Sequence, residues 1–263
     1  MAIGEAADFL AECEALHALL DGREAGVFTR VTQFKGWTVE EVLIHLQFWN
    51  RAADLSALDG EAFGVLMEEV GPEIARGRFR AVENARIEDR GPALLAAWIT
   101  HAREMAHRWA GMDPKARLPW AGPSMSARSS ITARQMETWA HGFEIFDLLG
   151  VTREDTDRIR NIVVLGVNTF GWSHRVHGLE VPAQMPRLQL TAPSGELWTY
   201  GAPEAGRIAG TAVDFASVVT QTRALADTGL EVEGPVARTW MAHAQCFAGA
   251  PEMPPAPGTR RRA

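Results

Sequence analysis

Residues Thr132-Ala-Arg-Gln-Met-Glu137-Thr-Trp-Ala-His141 contain a carboxylate and an imidazole at helical spacing. On an α-helix, side chains four positions apart lie on one face, one turn above the other. Glu137 and His141 can therefore reach one metal ion together. A Glu-x-x-x-His pair is also a common surface feature, in which the contact adds about 0.2–0.5 kcal/mol to helix stability. The pair alone leaves both interpretations open.

A second imidazole comes from the segment Trp37-Thr-Val-Glu-Glu-Val-Leu-Ile-His45-Leu-Gln-Phe-Trp49. Apolar side chains recur at helical spacing along it, at Val42, Leu46, Trp49 and Ala53. His45 lies on the same stripe, so its imidazole is expected to point inward. Two antiparallel helices would set His45 opposite Glu137 and His141. Two nitrogens and one oxygen suit zinc, with positions left open for water or substrate.

Three features together resemble a known family. They are Gly36-Trp37-Thr38-x-x-x-Val42-x-x-His45-Leu46, the run Arg134-Gln-Met-Glu137-Thr-Trp-Ala-His141-Gly142, and a separate C-terminal segment. They resemble the DinB-like, mycothiol-dependent maleylpyruvate isomerase superfamily, and more closely its actinobacterial branch of uncharacterised metal-binding proteins. The resemblance extends from the first helix to about Gly249. It implies a metal site made by a histidine of the second bundle helix, and by a carboxylate or histidine plus a histidine of the fourth. These positions match His45, Glu137 and His141.

The composition is that of a soluble globular protein, with 46% hydrophobic and 22% charged residues. A chain of 263 residues can form one large domain or two ordinary ones with a sizeable core. The formal net charge of −7 gives no general attraction to nucleic acid. Nucleic acid is therefore not expected as a partner.

The N-terminus carries acidic residues where a secretory signal carries positive charge, and no apolar run approaches the roughly 18 residues of a membrane span. We therefore expect a cytoplasmic protein with no membrane partner. Cys13 and Cys246, at opposite ends of the chain, suit a reducing compartment and argue against a disulfide framework. Cys13 lies on the apolar stripe of the first helix and is interpreted as a buried small hydrophobe.

Apolar periodicity predicts a helical N-terminal segment. Bundle helices are expected over about 4–20, from residue 38 onward, from residue 92 through 109, and around the Glu137–His141 pair. Thr38 and Glu41 have the spacing of a capping box, which fixes where His45 falls on its helix.

Further helical pieces are expected over 61–70, closed by Gly71-Pro72, and within 76–90. The alternating charges of 76–90 indicate a solvated face rather than a binding role. His101 and His107 are six apart on the third bundle helix, so they cannot share a face well. Each is expected to be a partly exposed or core-edge histidine, with a role as fourth ligand left open.

A loop rich in Pro, Gly and Ser, residues 118–126, leads into the helix that carries Glu137. A loop just before a ligand helix is well placed to form part of a pocket wall. The candidate contacts for a substrate or cofactor are Trp120, Ser124, Ser126 and Arg128. Ordinary loop structure is the alternative for all four.

The pattern changes after about residue 150. It predicts a buried helix over 155–177, a β-hairpin around Pro193-Ser194-Gly195, a helix over 211–225, a strand at 230–234 and a last helix over 235–247. This second segment is thus mixed, and the whole chain is expected to be α+β.

The resemblance implies a DinB-like four-helix bundle over 1–150 and a small α+β domain over 151–250 that is similar to sterol-carrier proteins and completes the cleft over the metal. The family places an arginine of that domain near the active site, and Arg223 matches it. An arginine at a helix end also favours the negative end of the helix dipole. A second metal site at His174 and His177 stays an alternative. Residues 251–263 are rich in Pro and contain the run Arg260-Arg-Arg near their end. They are expected to be disordered.

Three protein ligands leave room for a substrate atom, and an open divalent site lowers the pKa of a bound water or thiol into the neutral range. The resemblance implies mycothiol, the cytosolic thiol of actinobacteria, as co-substrate for S-transfer to a small electrophile or for its cis–trans isomerisation. Zinc is the expected ion, with nickel, iron and manganese as alternatives, and it is expected to activate this thiol or a substrate oxygen. Arg223 or Arg134 is expected to neutralise a carboxylate, although Arg134 can also simply pair with Glu137.

Two other functions are compatible with the same three metal ligands. One is a thiol-independent metal-dependent hydrolase or lyase, and the other is a non-catalytic metal- or ligand-binding protein. Nucleotide-binding and serine-hydrolase motifs of the Gly-x-Gly-x-x-Gly, Gly-x-x-x-x-Gly-Lys-Ser/Thr and Gly-x-Ser-x-Gly types are missing from the sequence. The sequence therefore predicts a metal-dependent enzyme for a small-molecule substrate, as a monomer or homodimer.

Overall fold

The computed structural model describes residues 3–260. The chain divides into two compact units, Met1–Ile145 and Phe146–Ala263. The boundary falls inside a long helix, Ala127–Leu148, a few residues before the position near residue 150 that the sequence pattern predicts.

The first unit is helical. Its helices are α1 (Glu5–Leu20), α2 (Val39–Leu58), α3 (Gly60–Ala75), α4 (Phe79–Arg86), α5 (Gly91–Ala110) and α6 (Ala127–Leu148). Two short strands, β1 (Arg117–Leu118) and β2 (Met125–Ser126), pair antiparallel in the connection between α5 and α6. The four predicted bundle helices are α1, α2, α5 and α6, and the chain inserts α3 and α4 between the second and third of them.

A capping box sets the start of α2, as the sequence predicts. The Thr38 hydroxyl accepts a hydrogen bond from the backbone N–H of Glu41 at 3.1 Å, and the Glu41 carboxylate accepts one from the N–H of Thr38 at 2.8 Å. Just before it, Lys35 and Gly36 turn the chain with φ values of 50° and 70°. Because the capping bonds fix the first turn of α2, they also fix the direction of His45 two turns further on.

Large aromatic side chains fill the interior of the bundle. Phe9, Trp98, Trp109 and Trp139 are fully buried. A buried carboxylate, Asp54 of α2, accepts a hydrogen bond from Trp109 Nε1 at 3.0 Å and pairs with Arg108. These contacts join α2 to α5 and satisfy a charge that would otherwise be costly in the core.

Both cysteines are buried, with 0% of Cys13 and 4% of Cys246 exposed. Cys13 of α1 lies with its Sγ 3.9 Å from Thr138 Oγ1 of α6. Burial raises the pKa of the Cys13 thiol. Cys13 therefore packs as an apolar side chain, as its place on the stripe of α1 predicts.

The predicted end of the helical piece over 61–70 is wrong. α3 does not stop at Gly71-Pro72 but continues to Ala75. A proline inside a helix removes the hydrogen bond from its own nitrogen and crowds the preceding turn. Pro72 lies only one turn from the end of α3, so the helix continues past it. At the end of the helix, the backbone N–H of Arg76 bonds to the carbonyls of Pro72 and Glu73.

The second unit packs helices with a four-stranded sheet. Its helices are α7 (Arg160–Asn168), α8 (Phe170–Val176), α9 (Ala212–Val219) and α10 (Pro235–His243), and its strands are β3 (Pro186–Thr191), β4 (Leu197–Tyr200), β5 (Ala202–Thr211) and β6 (Glu231–Glu233). The strand order is β4-β3-β5-β6. β3 and β4 form the predicted antiparallel hairpin, β3 and β5 are parallel, and β5 and β6 are antiparallel.

Three helix predictions for this unit are wrong. The helix predicted over 211–225 ends at Val219, and the one predicted over 235–247 ends at His243. The single helix predicted over 155–177 is two helices, which break at Thr169, where the hydroxyl bonds to the carbonyl of Leu165 at 2.8 Å. The sequence also gives no sign of β5, because Pro203, Gly206 and Gly210 argue against a central strand. Gly206 has a φ of 105°, and a Cβ there would lie 2.4 Å from a carbonyl oxygen of β6. The close approach of β6 therefore requires glycine.

The C-terminal segment also differs from its prediction. Residues 251–260, expected to be disordered, make specific hydrogen bonds within the second unit. Gln245 Oε1 accepts from the N–H of Glu252 at 2.9 Å, Gln221 Nε2 donates to the carbonyl of Glu252 at 2.9 Å, and Arg260 donates to the carbonyl of Gln221 at 2.7 Å. Composition does not reveal these buried amide partners. The last part of the predicted tail, 261–263, lies outside the described residues.

The fold class is α+β, as the sequence predicts: a helical bundle precedes a smaller unit with a mixed sheet. Over residues 3–260, none of the helices combines the length and apolar character that crossing a membrane requires.

Candidate metal centre

Two bundle helices bring the three predicted ligands together. His45 lies on α2, and Glu137 and His141 lie one turn apart on α6. The Nε2 atoms of His45 and His141 are each 3.1 Å from the same oxygen, Oε2 of Glu137. Within residues 3–260, this is the one group of three or more His, Cys, Asp or Glu side chains arranged to share an ion, with ligand atoms within 4.8 Å of one another.

This donor set fits a divalent cation. Two imidazole nitrogens and one carboxylate oxygen are the ligands of open zinc sites. Two ligand atoms at zinc bond lengths of about 2.0–2.1 Å and a tetrahedral angle lie roughly 3.3 Å apart. The observed separations of 3.1 Å between each imidazole nitrogen and the carboxylate oxygen are close to this spacing. A small outward shift of the side chains is enough to admit an ion.

A second carboxylate contacts the other nitrogen of His45. Glu83 of α4 lies with its Oε1 2.9 Å from His45 Nδ1, and the same oxygen accepts a hydrogen bond from Trp49 Nε1 at 2.8 Å. Glu83 is 2% exposed, so the prediction that segment 76–90 is a solvated face is wrong for this residue. Sequence reasoning missed it, although its position one turn after Phe79 on a short helix was the available signal.

Aromatic rings surround the two imidazoles. Trp37 stacks on His141, with ring centroids 5.7 Å apart and planes inclined by 6°. Phe34 approaches the same imidazole edge-on at 4.8 Å, and Phe79 lies 5.5 Å from the ring of His45. These contacts fix the directions of the rings and exclude water from their faces, which strengthens electrostatic interactions among the polar atoms.

The centre is buried but not sealed. The exposed fraction of the side chain is 8% for His45, 12% for His141 and 19% for Glu137. The most open of the three is therefore the carboxylate that both histidines approach.

The charges of the centre set its protonation. Burial opposes ionisation of Glu137, but hydrogen bonds from His141 and His45 outweigh it and hold the pKa of the carboxyl well below its ordinary range. Burial lowers the pKa of His141. Burial also opposes protonation of His45, yet the charges of Glu83 and Glu137 raise its pKa to about 9. Without a metal, the centre therefore carries an imidazolium, His45, beside the ionised carboxylate of Glu137.

Arg134 lies on α6, one turn before Glu137, and is 4% exposed. Its Nη2 is 3.8 Å from Oε1 of Glu137, and its guanidinium carbon is 5.8 Å from the ring centroid of Trp120. Nε and Nη1 are buried and have no hydrogen-bond partner among the described residues. Burial lowers the pKa of the guanidinium. Unused N–H groups on a buried cation are costly, so Arg134 is a candidate donor to a bound ligand.

The loop candidates differ in their surroundings. Trp120 stacks on Phe63 at 5.9 Å and carries the Arg134 guanidinium on its ring, so it contributes to the surroundings of the centre. The other three have local partners: Ser124 Oγ accepts from Arg117 at 2.7 Å, Ser126 Oγ accepts from the N–H of Ser129 at 3.1 Å, and Arg128 pairs with Glu5 at 3.1 Å. These contacts support the ordinary-loop alternative for those three.

Arg223 lies in the second unit, after the end of α9 rather than inside the predicted helix over 211–225. Its Nη2 donates to Oδ2 of Asp147 at 2.5 Å, and its Nη1 donates to the carbonyl of Thr222 at 2.9 Å. These bonds order the turn that follows α9. The role of Arg223 beside the substrate stays a prediction.

The other four histidines considered as ligands lie outside the centre. His101 Nε2 lies 3.3 Å from Oδ2 of Asp54, and His107 is exposed on α5. His174 donates from Nδ1 to the carbonyl of Phe170 at 2.8 Å, and His177 packs against His243 with ring centroids 5.3 Å apart. Within the described part of the chain, none of these four belongs to the ligand group of the centre.

Known proteins share both the sequence pattern and the fold. A family model described as the mycothiol maleylpyruvate isomerase N-terminal domain matches residues 9–146. Two uncharacterised proteins of Mycobacterium tuberculosis, from strains CDC 1551 / Oshkosh and ATCC 25618 / H37Rv, are each 38% identical over 250 residues. Each match covers 93% of this chain and 95% of the relative.

Solved structures add a similarity of fold. The crystal structure of the mycothiol-dependent maleylpyruvate isomerase matches with a TM-score of 0.51 and 16% identity, over 81% of this chain and 86% of that chain. A mutant of the same enzyme matches over the same shares with a TM-score of 0.52 and 17% identity. At this level of identity, the comparison shows a common fold.

Proposed function

Because the chain belongs to the family defined by the mycothiol maleylpyruvate isomerase N-terminal domain, we propose that it is a metal-dependent enzyme that uses a small thiol. His45, Glu137 and His141 hold zinc or a similar divalent ion. The co-substrate is mycothiol, and the reaction is S-transfer to a small electrophilic metabolite or its isomerisation. The convergence of two imidazole nitrogens on one carboxylate oxygen, at 3.1 Å each, carries this proposal.

The chemistry divides between the ion and the protein. A divalent ion with open positions lowers the pKa of a bound thiol or water into the neutral range. The aromatic rings of Phe34, Trp37 and Phe79 keep water from the imidazole faces, which lessens the screening of the charges at the centre. Arg134 supplies a fixed positive charge for a carboxylate of the electrophile, and its Nε and Nη1 carry unused N–H groups. These residues orient the reactants before bond formation, which is a large part of catalysis.

Cobalt substitution tests the thiol directly. Cobalt(II) occupies zinc-type sites, and its visible spectrum reports the ligands. We expect mycothiol to add a sulfur-to-cobalt charge-transfer band to the cobalt-loaded protein. The matching compound with a hydroxyl in place of the thiol should leave the spectrum without that band.

The same experiment separates the alternatives. If mycothiol adds no band while the cobalt spectrum responds to water or hydroxide, a thiol-independent hydrolase or lyase is favoured and the thiol proposal is wrong. If no added ligand changes the spectrum, the ion has no open position and a non-catalytic role is favoured. His45→Ala, prepared in parallel, should give only the spectrum of free or loosely bound cobalt.

Zinc binding is expected to release a proton at neutral pH. A histidine ligand must be neutral at the coordinating nitrogen, whereas the pKa of His45 in the metal-free protein is raised to about 9. Binding at pH 7 should therefore displace about one proton per ion from His45. Calorimetric titration in buffers of different ionisation enthalpy measures this number.

The pH dependence has a definite sign. The apparent zinc affinity should increase by roughly tenfold per pH unit between pH 7 and pH 9 and then level off. The raised pKa stabilises the metal-free fold below about pH 6.5, the unperturbed value, and this contribution is lost as the pH rises through about 9. An affinity that does not vary over pH 7–9, with no proton released, would contradict the displacement of a His45 proton by the ion.

A further inference from the structure

We propose that Glu83 is a positioning residue for the metal ligand, because it holds the His45 imidazole so that Nε2, and not Nδ1, faces the ion. This inference rests on the proposed function, since it concerns the same ion. Glu83 lies on α4, outside the two helices that carry the ligands.

One oxygen of Glu83 serves two donors on the same face of α2. His45 and Trp49 are one turn apart, and Oε1 of Glu83 lies 2.9 Å from His45 Nδ1 and 2.8 Å from Trp49 Nε1. The side chains of Glu83 and His45 are 3% and 8% exposed. Water therefore has little access to replace Glu83 as the acceptor for the Nδ1 proton.

The contact between Glu83 and His45 determines which imidazole nitrogen of His45 faces the ion. An imidazole that binds a metal through one nitrogen keeps its proton on the other, and the partner of that N–H selects the tautomer and the ring orientation. The indole N–H of Trp49 can only donate, and it donates to Oε1 of Glu83, so this oxygen acts as an acceptor. With Glu83 at Nδ1, the proton of the ligand stays at Nδ1, and Nε2 is left facing Glu137 and His141 at the centre.

The docking of α4 makes this placement specific. Phe79 lies one turn before Glu83, so both side chains face α2. The Phe79 ring stacks on Trp49 with centroids 5.8 Å apart and planes inclined by 21°, and it lies 5.5 Å from the ring of His45. Apolar packing by Phe79 thus locates the helix, and Glu83 then reaches the imidazole. The inserted pair α3 and α4 contributes a part of the centre that the bundle alone lacks.

Three variants test the proposal through zinc affinity, measured by competition with a chromophoric chelator. Glu83→Met keeps the side-chain volume but removes the acceptor, and we expect it to bind zinc about 10–100-fold more weakly than wild type. Glu83→Gln retains an oxygen that can accept from Nδ1, so it should bind more tightly than Glu83→Met. Glu88→Met removes an exposed carboxylate just after the end of α4 and should bind zinc close to wild type.

Each result has a defined meaning. Wild-type affinity in Glu83→Met overturns the proposal, and so does an equal loss in Glu83→Met and Glu88→Met, which would indicate a general effect on the protein. Equal affinity of Glu83→Gln and Glu83→Met also overturns it, because orientation by an acceptor would then play no part. A wild-type protein that binds no zinc contradicts the proposed function together with this inference, whereas normal wild-type binding with unchanged variants contradicts this inference alone.

A measurement on the wild type removes the dependence on variant folding. Nitrogen-15 NMR of the zinc-loaded protein distinguishes the two imidazole nitrogens of His45. We expect zinc at Nε2 and a proton at Nδ1. Zinc at Nδ1 would overturn the assignment of Glu83 even where a variant fails to fold.

Discussion

His45→Ala is expected to weaken zinc binding by about 100-fold or more. Zinc sites with a full set of protein ligands bind with about 10–16 kcal/mol, so one ligand contributes on the order of 3 kcal/mol. The remaining pair, Glu137 and His141, lies on one helix and cannot enclose an ion. Chelator competition gives the affinity, and elemental analysis after desalting gives the metal content of the purified protein.

His107→Ala is the matched control, because it removes a histidine that is exposed on α5 and lies outside the ligand group. It should retain wild-type metal content. Equal metal content in wild type and His45→Ala would remove the basis for the centre. A loss in both variants would point to a general effect on folding, which circular dichroism of the metal-free proteins would reveal.

Arg134→Met is expected to impair the reaction of an unsaturated carboxylic acid far more than that of its carboxamide. Removing one partner of a buried, hydrogen-bonded charge pair costs about 2–5 kcal/mol, which corresponds to roughly 30-fold to several thousand-fold in kcat/KM. The carboxamide carries no charge and should lose much less. The measurement is thiol-dependent turnover of the two electrophiles by the zinc-loaded protein.

Two comparisons distinguish recognition of the substrate from support of the metal. Arg128→Met removes an exposed arginine that pairs with Glu5, and its kinetics should match wild type. The zinc affinity of Arg134→Met should also remain close to wild type, because its Nη2 lies 3.8 Å from Glu137, beyond a hydrogen bond. If zinc affinity falls in parallel with turnover, Arg134 acts by holding Glu137, and the carboxylate role is wrong.

The sequence predicts those parts of the centre that depend on local geometry. Thr38 and Glu41 cap α2 through contacts three residues apart, so the phase of His45 on that helix follows from the sequence. Glu137 and His141 share a face because four residues make about one helical turn. Helical periodicity alone does not say which helices pack face to face. The family resemblance is what supports the pairing of α2 with α6.

The missed features depend on long-range packing. Glu83 is 38 residues from His45, and charge alternation along 76–90 gives no indication that one carboxylate is buried against α2. Strand β5 contains residues that disfavour strands, and it forms because β3 and β6 pair with it on both sides. Local preferences were overridden in both cases by contacts between segments that are distant in sequence.

An enzyme that brings a thiol and an electrophile together risks being alkylated by its own substrate. A neutral, inaccessible sulfur is a poor nucleophile, because the thiolate is the reactive form. Cys13 is 0% exposed, with a pKa raised by burial, and Cys246 is 4% exposed. The chain therefore offers electrophiles no accessible thiol of its own, and treatment of the folded protein with iodoacetamide should leave both cysteines unmodified.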